Sequence, residues 1–274
     1  MTKRKPKLTR QKFDWAKNRN VELLGEPLRV NDVYAQRRAR EVEMEVRKLH
    51  LDVSKQVLAL YKTGTAKGTI AEVAMDASLT SEARMLTNRL KREWNKRFNL
   101  FSKSFSESLM TDVTEMSAGD FKRSVEKLSG GITIDTSRLS IGTRDIIKAS
   151  TQQSSSLIKT ISDNYLSDVQ EALMRSIASP KASYSDTVAS VHEMLQGRYK
   201  HYRNKAKNIV LDQTQKAYSN ITDGRMRQNG ISEYRWQHAG GSQNPRSYHR
   251  DVGSLDSHTA TPHHRASERG ICDL

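Results

Sequence analysis

The sequence predicts a mainly α protein with a long helical hairpin, a helical middle and a small α+β C-terminal module. Apolar residues recur at spacings of three and four over long stretches, which is the pattern of amphipathic helices. Residues 231–238 instead alternate apolar and polar, which is a strand pattern. Only 35% of the residues are hydrophobic, so thin helical layers are expected rather than a thick core. We expect a flexible basic arm in residues 1–25, the hairpin region in 26–130 and a third region in 131–274.

The hairpin is predicted from two long helical patterns separated by a break. Residues 30–62 form the first pattern, and the glycine-containing segment 63–69 interrupts it. The second runs from Leu86 to Met116, and we expect it to pack antiparallel to the first. Its aromatic residues predict a buried core rather than a base-stacking platform; they are Trp94, Phe98, Phe101 and Phe105. A separate short helix is expected over residues 118–128.

The helical middle is predicted as three further helices. The first runs from about Thr143 to Ile177 and is ended by Ser179-Pro180. A short helix covers residues 185–195 and is closed by Gly197. A longer one covers residues 206–228 and ends at Asn229-Gly230, which is a typical C-terminal cap. The tail beyond residue 238 is expected to be irregular, with at most a small sheet.

The charge balance predicts an anionic partner. The chain has 46 Lys and Arg against 31 Asp and Glu, a net charge of +15. Such a charge suits nucleic acid, a membrane surface or an acidic protein. No apolar run approaches the ~20 residues needed to span a bilayer, and we expect no membrane partner. We expect the N-terminal arm to bind double-stranded DNA without sequence preference, through Lys3, Arg4, Lys5, Lys7, Arg10 and Lys12.

The residues that could carry catalysis or a metal are few. Cys272 is the single cysteine, which rules out an intramolecular disulfide and a Cys-rich zinc ribbon. His192-Glu193 lacks the second histidine of a zinc-protease motif, and neither a phosphate loop nor a nucleophile elbow is found. We therefore expect no enzyme and no cofactor. The alternatives are a zinc ion or a metal-dependent nuclease built on the tail residues His249, His258, His263 and Cys272.

An ordered series of motifs resembles a known family. Residues 157–161 read LIKTI and residues 165–169 read YLSDV. Residues 212–218 read DQTQKAY, residues 230–236 read GISEYRW, and Arg246 is followed by His249. In this order and at these intervals they resemble the minor head protein family of tailed phages, the Mu F-like head morphogenesis proteins. The series departs from the family at Asn244, where the family has a first arginine, and in its single C-terminal cysteine.

The resemblance implies a structural protein of the phage head. Such a protein would join the portal protein and the capsid shell or scaffold during assembly in the host cytoplasm, and would lie inside the virion head at the portal vertex. Residues 131–274 would be its minor-head-like domain. The resemblance gives structural roles to Asp212, Gln213, Lys216, Gly230, Trp236, Arg246 and His249. A non-specific nucleic-acid-binding protein without a virion role remains the alternative.

Overall fold

The protein is mainly α, as predicted from the sequence. The computed structural model describes residues 25–65, 77–136, 138–178 and 184–231, together with the backbone of residues 233–238, 252–254 and 270–273. The described residues form four α-helices: α1 (Asp32–Thr65), α2 (Ala77–Leu128), α3 (Ile141–Ala178) and α4 (Tyr184–Gln228). The predicted arm lies outside the described residues, apart from Gly25. Within the described residues, no helix is long and apolar enough to cross a membrane.

The strands follow α4 in the chain. They are β1 (Glu233–His238), β2 (Val252–Ser254) and β3 (Gly270–Asp273). β1 is central and pairs antiparallel with both neighbours, in the order β2-β1-β3. Tyr234 is opposite Gly253, and Trp236 is opposite Cys272. The strand pattern in residues 231–238 therefore coincides with the central strand.

Helix ends follow local capping chemistry. Asn31 begins α1, because its side-chain Oδ1 accepts the backbone N–H groups of Val33 and Tyr34 at 3.0 and 3.1 Å. Gly230 ends α4 with a φ of 74°, a left-handed conformation that glycine adopts without a steric penalty. The N–H of Ile231 then donates to the carbonyl of Met226 at 3.0 Å, which completes a Schellman motif. The predicted cap at Asn229-Gly230 is confirmed.

Two helices are longer than the sequence pattern predicted. Residues 118–128 do not form a separate helix but are the last part of α2. The helices expected over 185–195 and 206–228 are one continuous helix, α4, with Gly197 inside it. A lone glycine in a helix costs about 1 kcal/mol relative to alanine, which packing along a 45-residue helix can offset. Gly197 was therefore wrongly interpreted as a helix end.

The chain divides into two compact units, each built from separate stretches. The first, here called the bundle, contains the described residues of the ranges 30–113 and 145–217. The second, here called the end unit, contains the described residues of the ranges 1–29, 114–144 and 218–274. The three-part division by chain position stays a prediction.

In the bundle, α1 and α2 form the predicted antiparallel hairpin. Tyr34 Oη donates to Asp112 Oδ2 at 2.8 Å, near the beginning of α1. Further along α1, Asp52 Oδ2 accepts the indole N–H of Trp94 at 2.8 Å. As residue numbers rise along α1, the numbers of their partners on α2 fall. These contacts confirm the hairpin.

The other two helices complete an antiparallel four-helix bundle. On α2, Ser102 Oγ accepts a bond from Ser155 of α3 at 3.2 Å, and Asn95 Oδ1 accepts one from Ser162 at 2.9 Å. Helix α4 runs antiparallel to α1. Tyr199 stacks on His50 with ring centroids 4.5 Å apart, while Arg203 reaches Glu43 at 4.0 Å. Consecutive helices thus alternate in direction, as in up-down-up-down bundles.

The aromatic stripe of α2 is part of the bundle core. Phe98 is fully buried, and Trp94 and Phe105 are 5% and 4% exposed. Phe101 is half-buried and contacts the Phe105 ring at 5.5 Å between centroids. The buried aliphatic residues of α1 share this core; they are Val42, Val46, Leu49, Val53 and Val57. The interpretation as core is confirmed, and a base-stacking platform is excluded for the three buried rings.

The end unit packs the last turns of α2 and α4 around the chain between α2 and α3. Ser117 Oγ and Thr222 Oγ1 lie 2.9 Å apart. Gly224 faces Thr143 so closely that a Cβ atom there would lie 2.7 Å from the threonine Oγ1. The close approach requires glycine at position 224 unless Thr143 moves.

Candidate functional site

The motif residues on α4 form a local pair exposed to solvent. Lys216 Nζ donates to Asp212 Oδ2 at 2.8 Å, and both side chains are more than half exposed. Gln213 is 2% exposed, and its side-chain amide donates to the same Asp212 oxygen at 3.2 Å. The structure therefore brings all three residues together. The exposed pair contributes at most a few tenths of a kcal/mol.

Other residues of the motif series, where the structure describes them, make contacts that hold the fold together. Tyr218, the last residue of the DQTQKAY segment, is buried, and its Oη donates to Asp120 Oδ2 at 2.6 Å in the end unit. Gly230 caps α4. In the upstream segment on α3, five residues are buried in the bundle core: Ile158, Ile161, Tyr165, Leu166 and Val169. These residues hold helices together, and none of these contacts places a nucleophile beside a base.

Several predicted site residues cannot be placed. The backbone of Trp236 lies in β1 and that of Cys272 in β3, but their side chains lie outside the description. The arm and tail residues lie outside the described residues altogether: Lys3, Arg4, Lys5, Lys7, Arg10, Lys12, Arg246, His249, His258 and His263. In the part of the chain that is described, no cluster of three or more His, Cys, Asp or Glu residues suits a metal ion.

A buried polar cluster crosses the bundle, and sequence reasoning missed it. His50 of α1 is 3% exposed, and its Nδ1 lies 3.0 Å from Tyr165 Oη and 3.2 Å from Ser54 Oγ. The imidazole stacks on Tyr199 with an interplanar angle of 13°. His50 is four residues after Val46 and three before Val53, which places it on the apolar face of α1. This spacing is the sequence signal that could have identified His50 as a buried residue.

The cluster continues to the surface between α3 and α4. The Tyr165 ring packs edge-on against Tyr202, with centroids 5.5 Å apart. Tyr202 Oη donates to Asp168 Oδ2 at 2.9 Å, and Arg198 donates to the same oxygen at 3.0 Å. Asp168 is 30% exposed. The chain of contacts thus links the core histidine to a partly exposed ion pair.

The protonation states show what this cluster can do. Burial raises the pKa of the Tyr165 phenol well above its usual value of 10. Burial, together with the hydrogen bond to Asp168, raises the pKa of Tyr202 to about 12. Burial and the nearby His192 lower the pKa of His50. At neutral pH both phenols are protonated and the imidazole is neutral, so the cluster aligns three helices and supplies no activated nucleophile.

The neutral state of His50 predicts an acid-sensitive bundle. Because its pKa is lower in the folded protein than in the unfolded chain, the unfolded chain binds the proton more readily as pH falls. The contribution of neutral His50 to stability is therefore fully present above pH ~6.5, the pKa of an unperturbed histidine. It is lost as pH falls through that value towards the lower folded pKa. The slope is at most about 1.4 kcal/mol per pH unit for one proton.

Urea denaturation at pH 7.5 and pH 5.0 tests this expectation. The wild type should lose more stability on acidification than His50→Gln, which cannot titrate there. His201→Gln is the control, since His201 is a solvent-exposed histidine on α4. An equal loss in wild type and His50→Gln would contradict the assignment.

Comparisons with known proteins found no relative. No family model matches the chain, no curated protein matches it, and no solved structure matches it. The likeness to phage minor head proteins therefore rests on the ordered motifs of the sequence.

Proposed function

We propose that the protein is a minor capsid protein of a tailed phage, which joins the portal vertex during head assembly and contacts the packaged DNA. The observation that carries this proposal is the ordered motif series between residues 157 and 249. Its upstream half lies on α3 and its downstream half begins on α4. These two helices pack antiparallel through Asp168 and Arg198 in the bundle.

The proposal extends to the C-terminal region. We propose that the three strands form a small α+β module with structural roles for Trp236, Arg246 and His249. The region would sit inside the virion head, after assembly in the host cytoplasm, beside the capsid shell or scaffold. The protein would need neither a cofactor nor catalytic residues for this role.

Exposed apolar residues support an assembly role. In the end unit, Ile132 and Ile141 are 61% and 74% exposed. In the bundle, Val33 and Leu100 are 78% and 67% exposed. Burial of such side chains against a partner that binds only the folded protein stabilises it by RT ln(1 + [L]/Kd), where [L] is the free concentration of the partner. A portal ring would supply that surface.

Co-expression with the phage portal protein tests the proposal. We expect the two proteins to co-purify at low salt, and mass spectrometry of purified particles to find a few copies of the chain. The matched control is co-expression with a portal protein from an unrelated phage, which should not co-purify. The proposal fails if the chain never associates with portal or procapsid, and if particles assembled without it keep normal composition and infectivity.

A second candidate function is a sequence-independent DNA-binding protein with no virion role. The net charge of +15 favours it. It predicts DNA binding together with complete exclusion from purified particles. A metal-dependent nuclease would show DNA cleavage that requires a divalent metal and is lost in His249→Ala.

A further inference from the structure

Acidic and basic side chains of the α1–α2 hairpin differ in the contacts that they make. Carboxylates of α1 are used in contacts within the bundle. Glu45 binds Lys48 at 2.5 Å and Arg97 at 3.1 Å. Asp52 accepts the Trp94 indole N–H, and Glu41 pairs with Arg38 at 2.9 Å. These acids therefore contribute little negative charge to the outer surface.

Most of the cations that face outward lack such partners. Eight exposed cations form neither an ion pair nor a side-chain hydrogen bond with any described residue: Arg37, Arg40, Arg47 and Lys55 on α1, and Arg84, Arg92, Lys96 and Lys103 on α2. Over residues 32–55 and 84–103, the exposed carboxylates are Asp32 and Glu93. The outer face of these two stretches, here called the basic face, is strongly positive.

The spacing of these cations makes two extended rows. Arg92, Lys96 and Lys103 are four and seven residues apart, so they fall on one side of α2. At 1.5 Å per residue, the α1 row from Arg37 to Lys55 is about 27 Å long and the α2 row from Arg92 to Lys103 is about 17 Å long, which match roughly eight and five base pairs of B-DNA. Packed helices lie about 8–10 Å apart. The rows are joined at the surface, where Arg89 Nη2 donates to Gln56 Oε1 at 2.5 Å.

The composition of the face favours the duplex backbone over single strands. The large exposed hydrophobics of the hairpin are aliphatic or thioether side chains, with no aromatic ring among them: Val33, Met44, Leu51, Met85 and Leu100. Single-stranded nucleic acid is bound by stacking bases on aromatic rings. Phosphate contacts from Lys and Arg need no ring and carry no sequence information.

We infer that the basic face binds the phosphate backbone of double-stranded DNA, as a second DNA contact separate from the N-terminal arm. The inference rests on the proposed function for the DNA that the face would meet inside the head. Exposed Met44, Leu51 and Leu100 between the cations make an anionic lipid surface the competing partner.

The test measures DNA binding of the full-length protein as a function of salt. The variant is Arg92→Gln/Lys96→Gln/Lys103→Gln, and the probe is a mixed-sequence 30-base-pair duplex. Each lost phosphate contact should lower the slope of log K against log salt by about 0.9, so the slope should fall by about 2–3. The affinity at 100 mM salt should fall by more than tenfold. Two unrelated duplex sequences should behave alike.

A matched control changes the same net charge on another helix. Lys148→Gln/Lys159→Gln/Arg175→Gln removes three exposed cations of α3. Its slope should change by less than about one. Circular dichroism and melting of both variants should match the wild type, since glutamine is a good helix former.

Two outcomes would overturn the inference. One is that the α2 and α3 variants lower the slope of log K against log salt by the same amount, or that neither variant lowers it. The other is binding to vesicles of phosphatidylserine and phosphatidylcholine that depends on the α2 cations while duplex binding does not. Either result leaves portal co-purification intact if the proposed function is right. Conversely, the chain could fail to associate with the portal protein while the α2 variant still lowers the salt slope as expected. That result would reject the virion role and retain DNA binding by the basic face.

Discussion

Phe98→Ala is expected to lower the free energy of unfolding by about 3–5 kcal/mol. The ring is fully buried in the bundle. It contacts Trp94 and Phe101, with centroids 6.2 and 6.3 Å away. Truncation loses the transfer free energy of the ring and leaves a cavity that long rigid helices fill poorly. Chemical denaturation followed by circular dichroism measures the loss.

Leu100→Ala is the control for this substitution. Leu100 is two residues further along α2 and 67% exposed, so its truncation should change stability by no more than about 0.5 kcal/mol. If Phe98→Ala and Leu100→Ala behave alike, the aromatic stripe does not form the core. It would then have to serve a partner instead.

The hairpin could be predicted because its signal is local and periodic. Apolar residues every three or four positions define one face of each helix, and a glycine-containing break between two long helices favours antiparallel packing. Tyr34 with Asp112 and Asp52 with Trp94 bear out that reasoning. The cap at Gly230 was predictable for the same reason, since one left-handed residue decides it.

The full bundle could not be predicted in the same way. Pairing of α3 and α4 with the hairpin depends on contacts between residues far apart in the chain, such as Ser102 with Ser155. Helix lengths were also underestimated, because glycine is a local helix breaker and tertiary packing overrides it. Gly119 and Gly197 both lie inside helices for that reason.

The contacts of the candidate site also include some that local sequence predicts and others that depend on the fold. The pair Asp212 and Lys216 follows from the i, i+4 geometry of one helix. His50 and Tyr165 are 115 positions apart, and only the fold brings the imidazole to the phenol. A buried polar group needs a hydrogen-bond partner, but the sequence does not say which element supplies it.

Arg225→Ala is expected to destabilise the end unit by about 2–4 kcal/mol, because bonds from a charged donor are lost. Arg225 is 4% exposed. Its Nη1 donates to the carbonyl of Thr136 at 2.6 Å, and its Nη2 donates to that of Thr114 at 3.2 Å. One guanidinium thus ties the chain between α2 and α3 to α2 itself. Burial lowers the pKa of this guanidinium, yet an arginine side chain stays charged.

In Arg225→Ala, the loss of stability should also appear as faster local opening of the connection between α2 and α3. Hydrogen exchange at residues 129–140 should accelerate more than exchange at the bundle core around Leu49 and Leu90, since the tie holds only that connection. Lys122→Ala is the control, because Lys122 is exposed on α2 in the same unit and its truncation should change stability by less than about 0.5 kcal/mol. Unchanged exchange at 129–140 in Arg225→Ala would contradict the role of the guanidinium as a tie. In that case the connection must be held by Gln228, whose side-chain amide donates to the carbonyl of Arg138 at 3.0 Å and accepts from the N–H of Ser140 at 3.0 Å.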